Sequence, residues 1–391
     1  MVDSRKAMVI GAGDLGSRVL QGLASGGSGR ELRLVGRNAE ATLRAANLAA
    51  LSSLQTGHRN VVSEAVSDLF DVDRTAETIS EFQPDVIFLT ASLQSWWVIS
   101  TLPQPAFQRL YRANFGPWLP MHLIPVMYAM RAVRAAGSDA VVVNAAFPDA
   151  VHPALAAAGL SPHVGIGNVA NNVPGIQSSA ADLLGVDVHR IDVRFIAHHY
   201  VSHRLSRTGD SGAADMILRL LLDGADVTDR LDLAELLGAL PGRYRRTGGR
   251  DGQVMTAASA LSVLAPLLDN LEAVVHAPGP LGRIGGYPVS LSPSGIKVVL
   301  PDGVTEAQAD AANRSGQRCD GITEITADGT VRFEPEPAGV LAEELGYHCT
   351  QMRLDEAEDC AREIGERFAA YRERVLTDPG YQTRPRLAVT V

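Results

Sequence analysis

Three histidines lie within ten residues of a largely apolar stretch, RFIAHHYVSH (194–203). An imidazole with a pKa near neutrality can give a proton to a substrate oxygen or take one back. His199 and His203 are spaced i and i+4, which on a helix could also ligate zinc. The β-branched lead-in VRFI favours a strand instead, so we expect proton transfer or core packing here and no metal site.

A second stretch with chemical meaning is GAGDLG (11–16), a G-x-G-x-x-G that follows a short apolar strand and opens a helix. In that context Gly11 makes the turn, Gly13 lets the backbone approach a pyrophosphate, and Gly16 lets the helix pack on the strand. The helix amino terminus, beginning around Asp14 and Leu15, offers free N–H groups to the phosphates. The pattern predicts a dinucleotide site.

The end of the second strand bears on which dinucleotide is preferred. NAD-binding sites usually carry an acidic residue about 20 residues after the glycines, to bind the ribose hydroxyls. Gly36 stands there, followed by Arg37 and Asn38. With no carboxylate to repel a 2′-phosphate, and with Arg37 able to pair with it, NADP(H) is favoured, although NAD(H) stays possible.

The elements that must position these residues read as a βαβ alternation over residues 1–165. Short apolar or β-branched runs predict buried parallel strands at 7–10, 32–35, 61–62, 85–90 and 140–144. A long helical pattern covers 107–136. The first half is therefore predicted to be a doubly wound parallel (Rossmann) sheet.

The second half, residues 166–391, predicts a different architecture. Residues 253–276 show one wide apolar helical face, with a kink or break expected at Pro266. Two Asp-Gly turns follow, and residues 354–376 predict a last helix. We interpret this half as an α+β domain for substrate binding and dimerisation, with the boundary near residue 165.

Composition narrows the function class. The chain has 391 residues, 46% of them hydrophobic, and a net charge of −9. That charge gives no support to a nucleic-acid or anionic-membrane partner, since both favour basic surfaces. Three cysteines without a CxxC pair do not suggest a disulfide framework. With neither a signal-peptide core nor an apolar run long enough to span a membrane, we expect a cytoplasmic protein.

Several segments beyond the glycine turn resemble the lactate/malate dehydrogenase superfamily: PDVIFLTA (84–91), RANFG (112–116), VVVNAAFPDAV (141–151) and the segment 159–200. The GRN ending of the second strand is also similar to saccharopine-dehydrogenase-like NADP-binding domains. The resemblance implies a nicotinamide near Ala91, Ser92, Asn114 and Asn144. It also implies a homo-oligomer, with a dimer expected.

The same resemblance implies roles for the histidines. The family's Gly-Glu-His-Gly turn falls on residues 197–200, which places the proton donor at His199, with His198 as the second candidate. Asn171 or Asn172 would orient the histidine or the substrate. Asn144 or Asn114 could donate a hydrogen bond to a substrate carbonyl as charge develops on its oxygen.

Three departures from the family pattern bear on the substrate. Asn171 and Asn172 stand where an aspartate should support the histidine, and Pro174 or a neighbour replaces the carboxylate-binding arginine. The loop SLQSWWVIST (92–101) lacks the family's catalytic arginine. A bidentate guanidinium–carboxylate pair is hard to replace. We therefore expect a substrate that is not a small 2-hydroxy or 2-oxo acid.

Other side chains leave the nature of the ligand open. Trp96 and Trp97 would favour a larger or flatter ligand if their loop closes over the nicotinamide, but such a pair can equally pack beneath the loop. Arg204 and Arg207, which follow the histidines, could bind a charged group.

The sequence thus predicts an NAD(P)H-dependent oxidoreductase that acts on a C=O or C=N group of a small molecule, or on the reduced form. Two alternatives stay open. One is a dinucleotide-binding sensor without catalysis, which the missing aspartate and arginines would suit. The other is an enzyme that retains NAD+ as a prosthetic group.

Overall fold

A parallel sheet organises the first half of the chain in the computed structural model, which describes residues 5–378. Within those residues six strands form this sheet: β1 (Arg5–Ile10), β2 (Arg30–Gly36), β3 (Val61–Val66), β4 (Val86–Leu89), β5 (Val141–Asn144) and β6 (Val164–Gly165). Their order is β3-β2-β1-β4-β5-β6, and all the pairs are parallel. The connection direction reverses between β1 and β4, which opens a crevice at the carboxyl ends of these strands. The predicted doubly wound sheet is confirmed.

Helices cover both faces of the sheet in the first half: α1 (Asp14–Ser25), α2 (Ala39–Gln55), α3 (Val72–Phe82), α4 (Gln104–Tyr111), α5 (Leu119–Ala135) and α6 (Pro148–Ala156). The long helix expected over 107–136 is divided into α4 and α5. Asn114 adopts a left-handed φ of 51°, and a short 3₁₀ turn, Gly116–Trp118, follows it. A Cβ on Gly116 would lie 2.7 Å from the backbone oxygen of Asp320, so the break brings this loop against a distant part of the chain.

The second half combines helices with antiparallel strands, as predicted for an α+β region. In chain order its elements are α7 (Val173–Leu184), β7 (Ile191–Ile196), α8 (His199–Thr208), β8 (Ile217–Leu222), β9 (Ala225–Asp226), α9 (Leu233–Gly238), α10 (Gln253–Asp269), β10 (Ala273–Pro278), β11 (Gly286–Ser292), β12 (Gly295–Val298), α11 (Glu306–Cys319), β13 (Ile322–Ile325), β14 (Val331–Phe333), α12 (Pro335–Leu345), β15 (Gln351–Met352) and α13 (Ala357–Thr377). The strands form three small antiparallel sheets within the described residues: β7-β8-β9, β10-β11-β12 and β13-β14-β15.

The helix predicted over 253–276 is too long at its carboxyl end. It stops at Asp269, where Asn270 takes a left-handed conformation with φ 53°, and residues 273–276 belong to β10. Pro266 lies inside the last turn of α10 without ending the helix. The predicted break therefore falls at Asn270 rather than at the proline.

Late elements complete the cores on both faces of the parallel sheet. On one face α13 packs against α5, and its side chains Ile364, Phe368 and Val375 are buried in the same cluster as residues of β1 and β4. On the other face α10 packs against α1. The boundary near residue 165 coincides with the end of β6 and stays a prediction.

No helix within residues 5–378 is both long enough and apolar enough to cross a membrane.

Candidate active site

A buried histidine–aspartate pair lies at the centre of the candidate site. Asp320 directly follows α11, and its Oδ2 lies 2.7 Å from Nδ1 of His199 at the start of α8. The side chains are 121 residues apart in sequence, and the residues are only 3% and 6% exposed respectively. His199 thus has an aspartate from another element as its hydrogen-bond partner, in place of the expected Asn171 or Asn172. The alternative expectation, that one of these asparagines orients the substrate, stays a prediction.

The start of α8 accounts for how His199 is held. The strand predicted for VRFI ends at Ile196, and the chain then turns into a helix at His199. The backbone N–H of His199 donates to Oδ1 of Asp149 at 2.9 Å. Asp149 comes from α6 and is fully buried, so a second carboxylate faces the positive end of the α8 dipole.

Opposing effects act on the pKa of His199. Burial by itself lowers it, but the charge and hydrogen bond of Asp320, together with the charge of Asp149, outweigh burial. The pKa of His199 is therefore raised above its ordinary value of 6.5. With Nδ1–H donating to the Asp320 carboxylate, Nε2 is the nitrogen left for a substrate.

Asp320 is held in turn by the loop between α4 and α5. Its Oδ1 accepts from the backbone N–H of Phe115 at 3.4 Å, and its carbonyl oxygen accepts from Gly116 at 2.7 Å. Asn114 donates from Nδ2 to the carbonyl oxygen of Cys319 at 3.0 Å. Asn114 thus lies beside the histidine–aspartate pair, and its side-chain hydrogen bond holds the end of α11 in place.

Aromatic rings enclose His199. The ring centroid of Phe115 lies 4.8 Å from that of His199, and the Phe147 centroid lies 5.3 Å away. Phe147 has φ 41°, a left-handed conformation that is uncommon and costly for a bulky residue. Because Phe147 follows β5, this packing places His199 at the carboxyl edge of the parallel sheet.

His198, the second candidate for the proton donor, has different surroundings. Its side chain is fully buried, and its Nδ1 accepts weakly from the N–H of Tyr200 at 3.4 Å, capping α8. Burial lowers its pKa. A Cβ on Gly316 would lie 2.4 Å from the Cβ of His198, so this side chain is packed against α11. Of these two adjacent histidines, the geometry favours His199 as the candidate proton donor.

Asn144 holds the backbone in place rather than facing a substrate. Its Oδ1 accepts from the N–H of Ala146 at 2.9 Å. Its Nδ2 lies 3.0 Å from the Ala146 oxygen and 3.1 Å from Nε2 of His152. Both amide hydrogens are engaged in this way, and the residue is fully buried. The expected hydrogen bond from Asn144 to a substrate carbonyl is therefore replaced by a role in shaping the loop after β5.

The two adjacent asparagines hold an arginine. Arg246 donates from Nη1 to the backbone oxygen of Asn171 and from Nη2 to Oδ1 of Asn172, both at 2.6 Å. Asn172 also donates to Oγ of Ser202 on α8 at 2.8 Å. Oδ1 of Asn171 is buried with no hydrogen-bond partner among the described residues.

The glycine turn fits a dinucleotide. Gly11 has φ 120°, and a Cβ there would lie 2.2 Å from Oγ1 of Thr90. A Cβ on Gly16 would lie 1.9 Å from the oxygen of Gly11. A Cβ on Gly13, by contrast, has no atom within 4 Å, which leaves open space beside the helix amino terminus. Since no side chain caps that terminus, its N–H groups are available to a pyrophosphate.

Asp14 and Leu15 occupy the first turn of α1. The Asp14 carboxylate accepts from Nε of Arg18 at 2.8 Å and lies 3.5 Å from Nε of Arg250. These arginines offset a negative charge that would otherwise repel phosphates. Leu15 is half-buried and packs against the core beneath the turn.

The end of β2 leaves no room for an acidic side chain at position 36. A Cβ on Gly36 would lie 2.3 Å from Oγ1 of Thr42 and 2.8 Å from Cβ of Ala12. Arg37 follows and is exposed. Asn38 caps α2 by accepting from the N–H of Ala41 at 2.9 Å, so its oxygen is engaged.

Ala91 and Ser92 follow β4 at the same edge and are half-buried. The loop after them carries the two tryptophans in a short 3₁₀ segment, Trp96–Thr101. The side chain of Trp97 is half-buried, and that of Trp96 lies outside the described part of the structure.

His199 and His203 share the helix α8, so the strand expected from VRFI does not continue through them. Their ring centroids are 4.5 Å apart. Within residues 5–378, no group of three or more His, Cys, Asp or Glu side chains is arranged to hold a metal ion.

Sequence reasoning missed Asp320, Asp149 and Arg246 as members of the site. Asp149 lies in the segment VVVNAAFPDAV, so its position after β5 could have indicated the sheet edge. Asp320 and Arg246 are joined to the histidines only by tertiary contacts.

Solved structures of lactate and malate dehydrogenases share this fold. Malate dehydrogenase from Cryptosporidium parvum has a TM-score of 0.55 and 14% identity, over 80% of this chain and 96% of that one. Lactate dehydrogenase from the same organism, complexed with lactic acid and nicotinamide adenine dinucleotide, has a TM-score of 0.55 and 15% identity, over 81% and 95%. Malate dehydrogenase from Picrophilus torridus has a TM-score of 0.52 and 14% identity, over 94% and 99%.

The chain therefore has the lactate/malate dehydrogenase fold, as its sequence resemblance implied. No protein-family model matches the chain, and no curated protein sequence matches it.

Proposed function

We propose that this protein is a nicotinamide-dependent oxidoreductase that reduces a C=O or C=N group of a small molecule, or oxidises the reduced form. The observation that carries the proposal is the buried His199–Asp320 pair at 2.7 Å. It lies at the carboxyl edge of the sheet, where the glycine turn after β1 also lies. A proton donor and a dinucleotide site are the two parts that such a reaction needs.

In the reducing direction, protonated His199 donates from Nε2 to the substrate oxygen or nitrogen. Asp320 orients the ring and balances the imidazolium charge, a task that an amide could not perform. In the oxidising direction neutral His199 takes the proton back. A nicotinamide bound at this edge of the sheet would supply or accept the hydride.

The proposed cofactor is NADP(H), with NAD(H) as the alternative. Backbone groups of Gly11, Gly13 and Gly16 and the first turn of α1 would hold the pyrophosphate. Arg37 would bind the 2′-phosphate that distinguishes NADP(H). The preference is also supported by position 36, which cannot hold the carboxylate that usually binds the ribose hydroxyls of NAD(H). Ala91, Ser92 and Asn114 would lie near the nicotinamide.

Calorimetric titration with NADPH and NADH tests the cofactor site. We expect tighter binding of NADPH, and Arg37→Asp should weaken NADPH binding by about tenfold or more while sparing NADH. Arg44→Asp, at an exposed arginine of α2, is the matched control. Failure of the apoprotein to bind either dinucleotide would overturn the proposal.

A screen of carbonyl and imine substrates with the preferred cofactor then tests catalysis. His199→Ala should abolish turnover and leave dinucleotide binding intact. Binding without turnover of any substrate would favour the sensor, and NAD+ that copurifies and resists dialysis would favour a retained prosthetic group.

Assembly and location are further parts of the proposal. Four leucines of α2 are 42–64% exposed: Leu43, Leu48, Leu51 and Leu54. Their exposure supports a homo-oligomer, since exposed apolar patches commonly mark interfaces. Light scattering would test this. The three free cysteines suit the reducing cytoplasm.

A further inference from the structure

One face of α8 carries a row of three basic side chains. His199, His203 and Arg207 are spaced four residues apart, which places them on successive turns of the helix. The His199 and His203 rings are 4.5 Å apart. The Arg207 guanidinium lies over the ring of Tyr111, 4.4 Å from its centroid. The row therefore leads away from the histidine–aspartate pair towards α4.

Arg246 is linked to the same helix through neighbouring asparagines. It is fixed by two neutral oxygens, those of Asn171 and Asn172, and Asn172 is bonded to Ser202 on the next face of α8. Its charge contributes to the lowering of the pKa of His203, which burial, the largest cause, brings to about 3. Arg246 thus lies near a neutral His203, which Arg207 follows by four residues on α8.

Neither arginine has an acidic partner in the part of the chain that the structure describes. Within residues 5–378, no Asp or Glu carboxylate lies within 4.0 Å of Arg207 or Arg246, although their neighbour Arg204 pairs with Asp210. Burial lowers the pKa of both arginines. A partly buried guanidinium without a counter-charge is costly, and bound anions relieve that cost.

We propose that Arg246 and Arg207 form a subsite beside His203 for an anionic group of the substrate, either a carboxylate or a phosphate. That the bound anion belongs to a substrate rests on the proposed function. Arg246, with its Nη atoms held by Asn171 and Asn172, orients the anion. Arg207, one helical turn beyond His203, adds a second positive charge.

The helix geometry sets where this group lies in the substrate. His203 follows His199 by one turn, which is about 6 Å along the axis, and Arg207 by two turns, about 12 Å. An anion held beside His203 and Arg207 would therefore lie several bonds from the C=O or C=N group to which His199 gives its proton. A 2-oxo acid, whose carboxylate is adjacent to the carbonyl, would not span that separation.

Anion binding can be measured without turnover. Calorimetric titration with glutarate, with its uncharged diamide glutaramide, and with inorganic phosphate distinguishes carboxylate, neutral and phosphate ligands. We expect saturable binding of glutarate or phosphate and none of glutaramide. Arg246→Gln should weaken anion binding by about 10- to 100-fold. Arg245→Gln, an exposed arginine of the same segment, is the matched control and should leave it unchanged.

A second variant guards against loss of folding. Arg207→Gln leaves the contacts of Arg246 with Asn171 and Asn172 intact and should also weaken anion binding. Thermal unfolding of both variants should resemble that of the unaltered protein. If the unaltered protein binds neither glutarate nor phosphate, the subsite does not exist. The same conclusion follows if both variants bind the anion as tightly as the unaltered protein does.

NADPH titration of the same variants separates the two proposals. Normal NADPH binding with no anion binding overturns the subsite and leaves the oxidoreductase standing. Anion binding that depends on Arg246, in a protein that binds no dinucleotide, overturns the oxidoreductase and retains the anion site.

Substrate pairs then test the position of the anion, with NADPH as reductant. 5-Oxopentanoate, whose carboxylate is remote from its aldehyde, should have kcat/KM at least about tenfold above that of pentanal, and Arg246→Gln should remove the difference. A preference for 2-oxopentanoate over 5-oxopentanoate would overturn the remote position.

Discussion

At His199, burial and charge act in opposite directions on one imidazole. Burial disfavours the imidazolium, whereas Asp320 and Asp149 favour it strongly enough to raise the pKa of His199. At His203, one turn away, burial outweighs the charge of Asp320 and lowers the pKa to about 3. Two similar side chains on one helix therefore have pKa values shifted in opposite directions.

Asp320→Asn should slow reduction by about 10²- to 10⁴-fold, because the imidazolium loses its counter-charge and the ring its orientation. Since reduction needs protonated His199, the alkaline limb of kcat/KM should also move to lower pH in this variant. Steady-state rates across pH check both effects. Glu306→Gln, at an exposed residue of α11, the helix that Asp320 follows, should change neither. An unmoved limb in Asp320→Asn would count against the pair.

The pKa shift also predicts how stability depends on pH. Because the folded-state pKa of His199 lies above the unfolded value, its stabilisation is fully present below about pH 6.5 and is lost as pH rises through the folded pKa. The difference in unfolding free energy between the unaltered protein and His199→Gln should therefore shrink over that range. Urea denaturation at several pH values measures it; a difference that grows with pH would contradict the sign.

At the scale of elements, the turn between β1 and α1 shows how one glycine pattern contains two kinds of position. Gly16 faces the backbone of the turn itself, where a Cβ would lie 1.9 Å from the Gly11 oxygen. Gly13 faces open space and has φ −79°, which any residue can adopt. Packing of the turn therefore requires glycine at position 16, whereas only a bound ligand would require glycine at position 13.

Gly13→Ala should accordingly leave thermal stability unchanged and weaken dinucleotide binding by about tenfold or more, because the methyl group enters the phosphate space. Gly16→Ala should lower the melting temperature as well, since the turn must move. Gly339→Ala, in α12 and also without close neighbours, is the control for an added methyl. Normal NADPH binding by Gly13→Ala would show that no pyrophosphate lies there.

At the scale of the whole molecule, the carboxyl-terminal helix completes the core of the first half. Ile364 of α13 is fully buried in one cluster with Met8 of β1 and Ile87 of β4. Across the sheet, Arg30 at the start of β2 pairs with Asp269 at the end of α10, at 2.7 Å. The apolar cluster on one face of the sheet and this ion pair on the other both join the two halves of the chain.

Ile364→Ala should therefore lower the free energy of unfolding by about 2–5 kcal/mol through a cavity in the shared core. Arg372→Ala, exposed on the same helix, should have little effect. Denaturation followed by circular dichroism and by tryptophan fluorescence would report the loss. A change below about 0.5 kcal/mol would show that α13 is not part of this core.

The sequence by itself determined the elements whose signals are local. Apolar runs predicted the parallel strands, and the glycine spacing predicted the turn, because these depend on backbone conformation and burial over a few residues. The break at Asn114 and the end of α10 at Asn270 escaped prediction, although asparagine is the residue that, after glycine, most often ends a helix in the left-handed conformation.

The tertiary structure decided which side chains act together. Asp320 lies 121 residues from His199, and Arg246 lies 74 residues from Asn172. No periodicity connects residues so far apart, because their contact depends on how α8, α11 and the segment before α10 pack. The chemistry of His199 follows from burial and from two carboxylates that only the folded chain brings to it.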